Sequence, residues 1–277
     1  AIFFFLKLMI LNPVLVHINS ILLFLIRFYF INLFSFRLLS LSFMDLIMIA
    51  TPTVFLPGTL CDETLWTHQA PLFTQKQIIS LRTQSTVAEM IKSVAKASFD
   101  SFNLIGFSMG GYIAQEFALA FPERVKDLVV IGASSMGYPE EEKAIVRSSI
   151  GMIRKGSFTG ISDRRLKDYL DESTYTNVEL RQFIQKMGGD DAKDVYLRQL
   201  EATLDRRVLL ADMAQLQVPT LFVAGENDKI VSLESIKASR LNAKADLAIV
   251  PHAGHFVPLE QPDDVCDILI KRFAKES

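Results

Sequence analysis

Two cysteines in 277 residues, Cys61 and Cys266, are too few for a disulfide scaffold or a four-thiolate zinc site. As buried free thiols they fit a reducing compartment, and a cytoplasmic location is expected. A surplus of one charge is also missing. The 29 Lys and Arg residues face 31 Asp and Glu, a net of −2, so the chain offers no basic field to nucleic acid. No internal repeat or low-complexity linker appears after Met44. Histidine is scarce too: with His17, His68, His252 and His255 alone, the candidates for a general base are few.

Apolar residues are plentiful, at half of the chain, enough for a large core in one or two domains. They are unevenly spread. Residues 1–43 carry Lys7, Arg27 and Arg37 as their fixed charges, and removing these three leaves 26 basic against 31 acidic residues, a net of −5, in the remainder. The stretch between Lys7 and Arg27 has the length of a membrane span, although Asn12, Pro13, His17, Asn19 and Ser20 interrupt it. A secretion signal would need a short apolar stretch ending in a small-residue cleavage site. The third reading is translated upstream sequence, with Met44 or Met48 as the natural start. Residues 1–43 are therefore expected to be either such a leader or a membrane segment, and membrane association follows only if they are genuine.

From Thr51 onward, short β-rich runs alternate with helical patterns, the signature of a mostly parallel sheet covered by helices on both faces. Strands are expected at Thr53–Leu56, Gln77–Leu81, Phe102–Phe107, Asp127–Ile131, Thr220–Ala224 and Asp246–Val250, with one more around Leu46–Ala50. Helices are expected at Thr64–Phe73, Val87–Ala97, Met109–Ala120, Leu233–Leu241 and Pro262–Lys275. Between Ser134 and Gln217 no convincing strand occurs. Apolar residues there recur at helical spacing, including Leu166, Tyr169, Leu170, Phe183, Ile184, Met187, Tyr196 and Leu200. Residues 134–217 are expected to form a helical cap inserted into a domain spanning 44–277. With 13 basic and 14 acidic residues, this stretch has no single-sign surface. Its aromatic and methionine side chains fit the cap's own core better than a pocket lining.

Gly106-Phe107-Ser108-Met109-Gly110 matches the G-x-S-x-G nucleophile elbow, in which a serine occupies a strained strand-to-helix turn. A Cβ at either flanking position would collide as the helix packs against the strand it has just left. The following helix should present Ile113, Phe117 and Ala120 on one side and Gln115 and Glu116 on another. Its first N–H groups and positive dipole end would face an oxyanion formed at Ser108.

A serine hydroxyl needs a base to take its proton and an acid to orient that base. His17 lies in the leader, and His68 falls within an expected helix. His252 and His255, in PHAGHFVPLE, both follow the last strand; His255 is favoured because Gly254 permits a sharp bend beside it. Glu226 and Asp228 follow the preceding strand. Asp228 is favoured because it ends the loop, whereas Glu226 should point outward. The N–H groups of Thr59, after Pro57-Gly58, and of Met109 are the candidate oxyanion donors, while Trp66 should pack beneath that loop as structure.

With these residues in place the chain resembles the α/β-hydrolase superfamily over Pro52–Ala274. The resemblance is carried by Leu56-Pro57-Gly58, Gly106–Gly111, Phe121–Val125, Val218-Pro219-Thr220, Gly225–Asp228, Ala253-Gly254-His255 and Glu260-Gln261-Pro262. Pro57-Gly58 stands where many relatives carry His-Gly. The resemblance implies an α/β sheet of about six to seven strands with an inserted helical cap. It also implies a hydrolase acting on a small-molecule ester through Ser108, Asp228 and His255, with no metal and no cofactor. Lactonase, thioesterase, C–C hydrolase or haloperoxidase chemistry, or non-catalytic ligand binding, are the alternatives. Epoxide hydrolases and haloalkane dehalogenases resemble the fold but carry Asp at the elbow, so Ser108 argues against them.

Overall fold

The computed structural model describes residues 48–156, 158, 160–240 and 245–273. The chain divides into a unit ending at Met48 and a unit spanning Ile49–Ser277, to which all elements below belong. The expectations for residues 1–43 and for Leu46 and Ile47 lie outside the described residues, as do the expected helix ends at Leu241, Ala274 and Lys275.

Six parallel strands form one sheet in the order β2-β1-β3-β4-β5-β6. They are β1 Thr53–Leu56, β2 Lys76–Ile78, β3 Phe102–Phe107, β4 Val125–Ile131, β5 Thr220–Gly225 and β6 Ala245–Val250. Side chains alternate between two cores, as the period of two requires. Val54, Leu104, Leu128, Val130 and Phe222 enter one apolar cluster, and Phe55, Ile105, Val129, Ile131 and Val223 enter the other. Both faces are buried, which is why these strands read as continuous apolar runs. Helices α1 (Val87–Ala95), α2 (Met109–Ala120), α8 (Leu210–Gln215) and α9 (Leu233–Ser239) contribute to the first cluster. The opposite cluster holds Leu65, Trp66 and Phe73 together with Val265, Leu269 and Phe273 of α11 (Pro262–Phe273). Trp66 is fully buried, its ring 5.1 Å from Phe55.

Between β4 and β5 the chain is helical. It runs through α3 (Glu140–Arg154), α4 (Asp163–Tyr169), α5 (Glu172–Tyr175), α6 (Val178–Met187) and α7 (Ala192–Thr203) before α8. Several of these helices start on side-chain caps. Ser162, Asp171 and Asn177 each accept a backbone N–H of the first turn, satisfying donors that the helix itself leaves unpaired. Ile150, Ile153 and Leu200 join α3 to α7 in a small separate cluster. Leu166, Leu170, Ile184 and Met187 instead extend the core of the sheet.

Several expectations are corrected. The stretch expected as one helix over Thr64–Phe73 forms two short 3-10 turns, Glu63–Trp66 and Ala70–Leu72, because Pro71 has no N–H to donate to Thr67 O, the bond a continuous α-helix would need there. At the sheet edge β2 spans three residues and ends at Ile78, short of Leu81, where its pairing with Thr53–Phe55 of the short β1 runs out. Ile49 makes an isolated bridge to Phe73 and no seventh strand forms among the described residues. Cys61 is buried as expected, but Cys266 is only half-buried. Finally, the two sides expected of α2 do not divide by burial: Gln115 and Glu116 are buried and Ala120 is exposed.

Candidate active site

The connection from β1 to β2 runs toward one edge of the sheet, whereas β3, β4, β5 and β6 step toward the other. Loops leaving the ends of β1 and β3 therefore part, opening a crevice where ligands bind in sheets of this kind. Ser108 sits there, between β3 and α2, with φ 50° and ψ −118°, a backbone conformation that costs an L-residue on the order of 1–3 kcal/mol. The turn is held from both sides. Ser108 N–H donates to Ile131 O at 2.9 Å, and Tyr112 N–H donates to Ser108 O at 3.0 Å. A Cβ on Gly106 would lie 2.8 Å from Gly111 Cα, so that glycine lets α2 pack on β3. A Cβ on Gly110 would meet Pro57 O at 2.5 Å, so the second glycine serves the approach of α2 to the end of β1 rather than to the strand it has left.

His255 enters from the loop after β6. Its ring Nε2 lies 2.9 Å from Ser108 Oγ and its Nδ1 lies 2.8 Å from Asp228 Oδ2. The Asp228 carboxylate is fully enclosed and the imidazole is 5% exposed. Asp228 Oδ1 accepts the N–H groups of Ile230 and Val231 at 2.8 and 2.9 Å, leaving Oδ2 for the histidine. The imidazole is positioned by its own backbone, where His255 N–H donates to Tyr169 O at 2.6 Å, and by the Phe107 ring 5.1 Å away. The two alternatives sit elsewhere. His252 is exposed at φ 54°, and Glu226 is exposed as well. His68 is exposed on the segment between the two 3-10 turns.

The loop after β1 reaches the serine: a Cβ on Gly58 would lie 3.2 Å from Ser108 Cβ. Thr59 and Met109 both line the cavity that Ser108 and His255 face. Neither N–H has an acceptor among the described residues; that of Met109 is left unpaired by the first turn of α2. The cavity is about 510 Å³, within the range of small-molecule sites. Tyr169, Tyr196 and Leu200 line it, so aromatic side chains expected to serve the cap's own core also face the cavity, while Tyr196 and Leu200 pack in the α3–α7 cluster as well. Among the described residues no group of three or more His, Cys, Asp and Glu side chains is placed to hold a metal ion.

Two supporting residues carried no role in the sequence reading. Gln199 of α7 accepts Leu60 N–H at 2.9 Å and donates to Leu81 O at 3.0 Å, holding the loop that carries Thr59 while Leu60 sits at φ 60°. Glu260, on the short helix α10 (Val257–Glu260), accepts Asp171 N–H at 2.7 Å and Thr174 Oγ1–H at 2.6 Å. It ties the start of α5 to the segment carrying His255. Burial raises the Glu260 pKa, opposed by the hydrogen bonds from Thr174 and Asp171. The Glu-Gln-Pro block was visible in the chain, but its bonding partners lie about ninety residues away and have no local signal. Burial also pushes the Cys61 thiol up to about 12, an inert group beside this loop.

Comparison with known proteins agrees with this architecture. The family model described as the alpha/beta hydrolase family matches residues 54–268. A 2-hydroxy-6-oxononadienedioate/2-hydroxy-6-oxononatrienedioate hydrolase of Klebsiella pneumoniae is 26% identical over 203 residues, covering 68% of this chain and 68% of that protein. Among solved structures, a thermophilic esterase from Thermogutta terrifontis superposes with a TM-score of 0.75 at 22% identity, covering 82% of this chain and 91% of that one. An enol-lactonase from Burkholderia xenovorans superposes at 0.70 with 17% identity, covering 80% and 90%. The chain belongs to the alpha/beta hydrolase family.

Proposed function

We propose that this alpha/beta hydrolase is a serine esterase that cleaves a small carboxylic ester through an acyl-serine intermediate. The observation that carries the reading is the unbroken relay from Asp228 Oδ2 to His255 Nδ1 at 2.8 Å and from His255 Nε2 to Ser108 Oγ at 2.9 Å, at a turn open to the cavity. Ser108 Oγ bonds to the ester carbonyl carbon as its proton passes to His255 Nε2. The imidazolium, oriented by Asp228, then protonates the leaving alcohol as the C–O bond breaks. Water next gives a proton to Nε2 and its oxygen to the acyl carbon. The bond from Ser108 Oγ to the acyl group breaks, and the proton returns to Oγ. One ester and one water become one acid and one alcohol, with His255 alternating as base and acid. Thr59 and Met109 N–H groups stabilise the oxyanion in both halves; loss of one such donor costs about a hundred- to a thousandfold in turnover.

A second reading is C–C bond hydrolysis at the same site, which the name of the Klebsiella relative favours. A panel of p-nitrophenyl esters of increasing chain length, with methyl esters, lactones and a vinylogous 1,5-diketone acid alongside, separates the two. A fluorophosphonate probe should label Ser108. Ser108→Ala and His255→Ala should both abolish ester turnover while the proteins stay folded by circular dichroism. A folded wild type that takes no label overturns the reading. Retained turnover in His255→Ala with loss in His252→Ala overturns the assignment of the base.

A further inference from the structure

Two adjacent arginines at the end of the helical segment, just before α8, have opposite fates. Arg207 takes both nearby carboxylates. It reaches Glu116 through Nε at 3.1 Å and Nη2 at 2.8 Å, and it also pairs with Asp212. Arg206 has neither. Among the described residues its side chain makes no hydrogen bond and no ion pair, and its Nε is buried without a partner. The guanidinium carbon instead lies over the Tyr138 ring, 3.7 Å from its centroid, and over the Tyr112 ring at 5.4 Å. A cation–π contact of this kind holds the guanidinium in place while leaving its N–H groups for another partner.

Arg206 also stands at the cavity of Ser108. Arg206 and Tyr138 both line it, together with Arg165 and Lys229, while Glu142 is the one carboxylate in the lining among the described residues. Arg165 is half exposed and stacks on Tyr169 at 4.8 Å, and Glu142 is exposed. The cavity wall is thus positive overall, in a protein with a net charge of −2. A buried guanidinium N–H with no acceptor is unfavourable unless something supplies one. A planar carboxylate matches the fork with two charge-assisted hydrogen bonds.

We propose that Arg206 is the anchor of an anion subsite, and that the substrate is an ester bearing a free carboxylate at the end remote from the scissile bond. The inference rests on the esterase reading and deepens it. Arg165 and Lys229 add long-range attraction, and Tyr138 keeps the anchor oriented.

The test compares hydrolysis of phenyl hexanoate, monophenyl adipate and 4-carboxyphenyl hexanoate, which carry no anion, an anion on the acyl chain and an anion on the leaving group. Wild type should prefer one of the charged esters over the neutral one in kcat/KM by about ten- to a hundredfold, the range for a hydrogen bond to a charged group. Arg206→Gln should collapse that preference, mainly through KM, and Arg206→Lys should restore part of it. Arg147→Gln, an exposed arginine of α3 that pairs with Glu140, should leave the preference intact. No charged preference in wild type, or an equal loss on all three esters in Arg206→Gln, overturns the proposal and leaves the esterase reading standing. The converse failure is separated by calorimetric titration of Ser108→Ala with adipate. Binding that depends on Arg206, in a protein whose wild type hydrolyses none of the esters, supports the subsite and refutes the esterase reading. Neutral-ester turnover with no adipate binding does the reverse.

Discussion

Asp228→Asn provides a demanding test, because the structure dictates which atom of the new amide goes where. Oδ1 accepts two backbone N–H groups, from Ile230 and Val231 at 2.8 and 2.9 Å. An amide NH₂ in that position would face two donors in a fully enclosed site, so the carbonyl oxygen must occupy it. The NH₂ is then forced into the position of Oδ2, 2.8 Å from His255 Nδ1. There it can only donate, so Nδ1 must accept and the ring proton moves to Nε2, the nitrogen facing Ser108 Oγ. A protonated Nε2 cannot receive the serine proton. The expected loss is about ten-thousandfold in kcat, on the order of 5 kcal/mol of transition-state stabilisation. Stability should change by less than about 1 kcal/mol, since the isostere keeps both backbone hydrogen bonds and adds no volume. Single-turnover acylation with p-nitrophenyl esters and urea denaturation measure the two quantities. A loss under about tenfold, or an inactive protein that is also strongly destabilised, would refute the tautomer argument.

Other changes probe the same framework. Ser108→Gly should be more stable than Ser108→Ala by on the order of 1 kcal/mol in urea titrations, because glycine relieves the φ of 50° while giving back part of that gain as chain entropy. Gly106→Ala places a methyl against three backbone atoms of Gly110 and Gly111, including Gly110 C at 2.7 Å. It should cost about 1–3 kcal/mol or more and lower the rate of fluorophosphonate labelling in the fraction that folds. The raised pKa of Glu260 means that the folded protein holds a proton more tightly there than the unfolded chain does. Its contribution to stability therefore falls as pH rises from the ordinary carboxylate range toward neutrality. The melting temperature of Glu260→Gln relative to wild type should consequently increase between about pH 4 and pH 7, and a difference that is flat or decreasing over that window would contradict it.

The fold was legible because its signals are local. Strands buried on both faces read as short apolar runs, and α2 had sharp ends in the sequence, where Ser108 begins it and Phe121-Pro122 closes it. Pro71 is equally local, and it divides the expected helix there into two 3-10 turns. The order of serine, acid and histidine along the chain, and the glycines around Ser108, could also be read directly. Their chemistry demands particular residue types at particular junctions.

What only tertiary structure decided concerns groups whose partners are remote. Tyr169 O, on α4, fixes the backbone of His255, while the neighbouring His252 is left in solvent. The periodicity of α2 set Gln115 and Glu116 apart from its apolar side, and what covers them, Ser135 and Arg207, comes from distant segments. Arg206 and Arg207 are chemically identical neighbours, and nothing in their local sequence tells them apart. One meets Glu116 and the other meets Tyr138 because the chain turns sharply between α7 and α8. Hydrophobic periodicity repeats within a few residues and survives in one dimension, whereas the pairing of a charge depends on which surfaces folding brings against it.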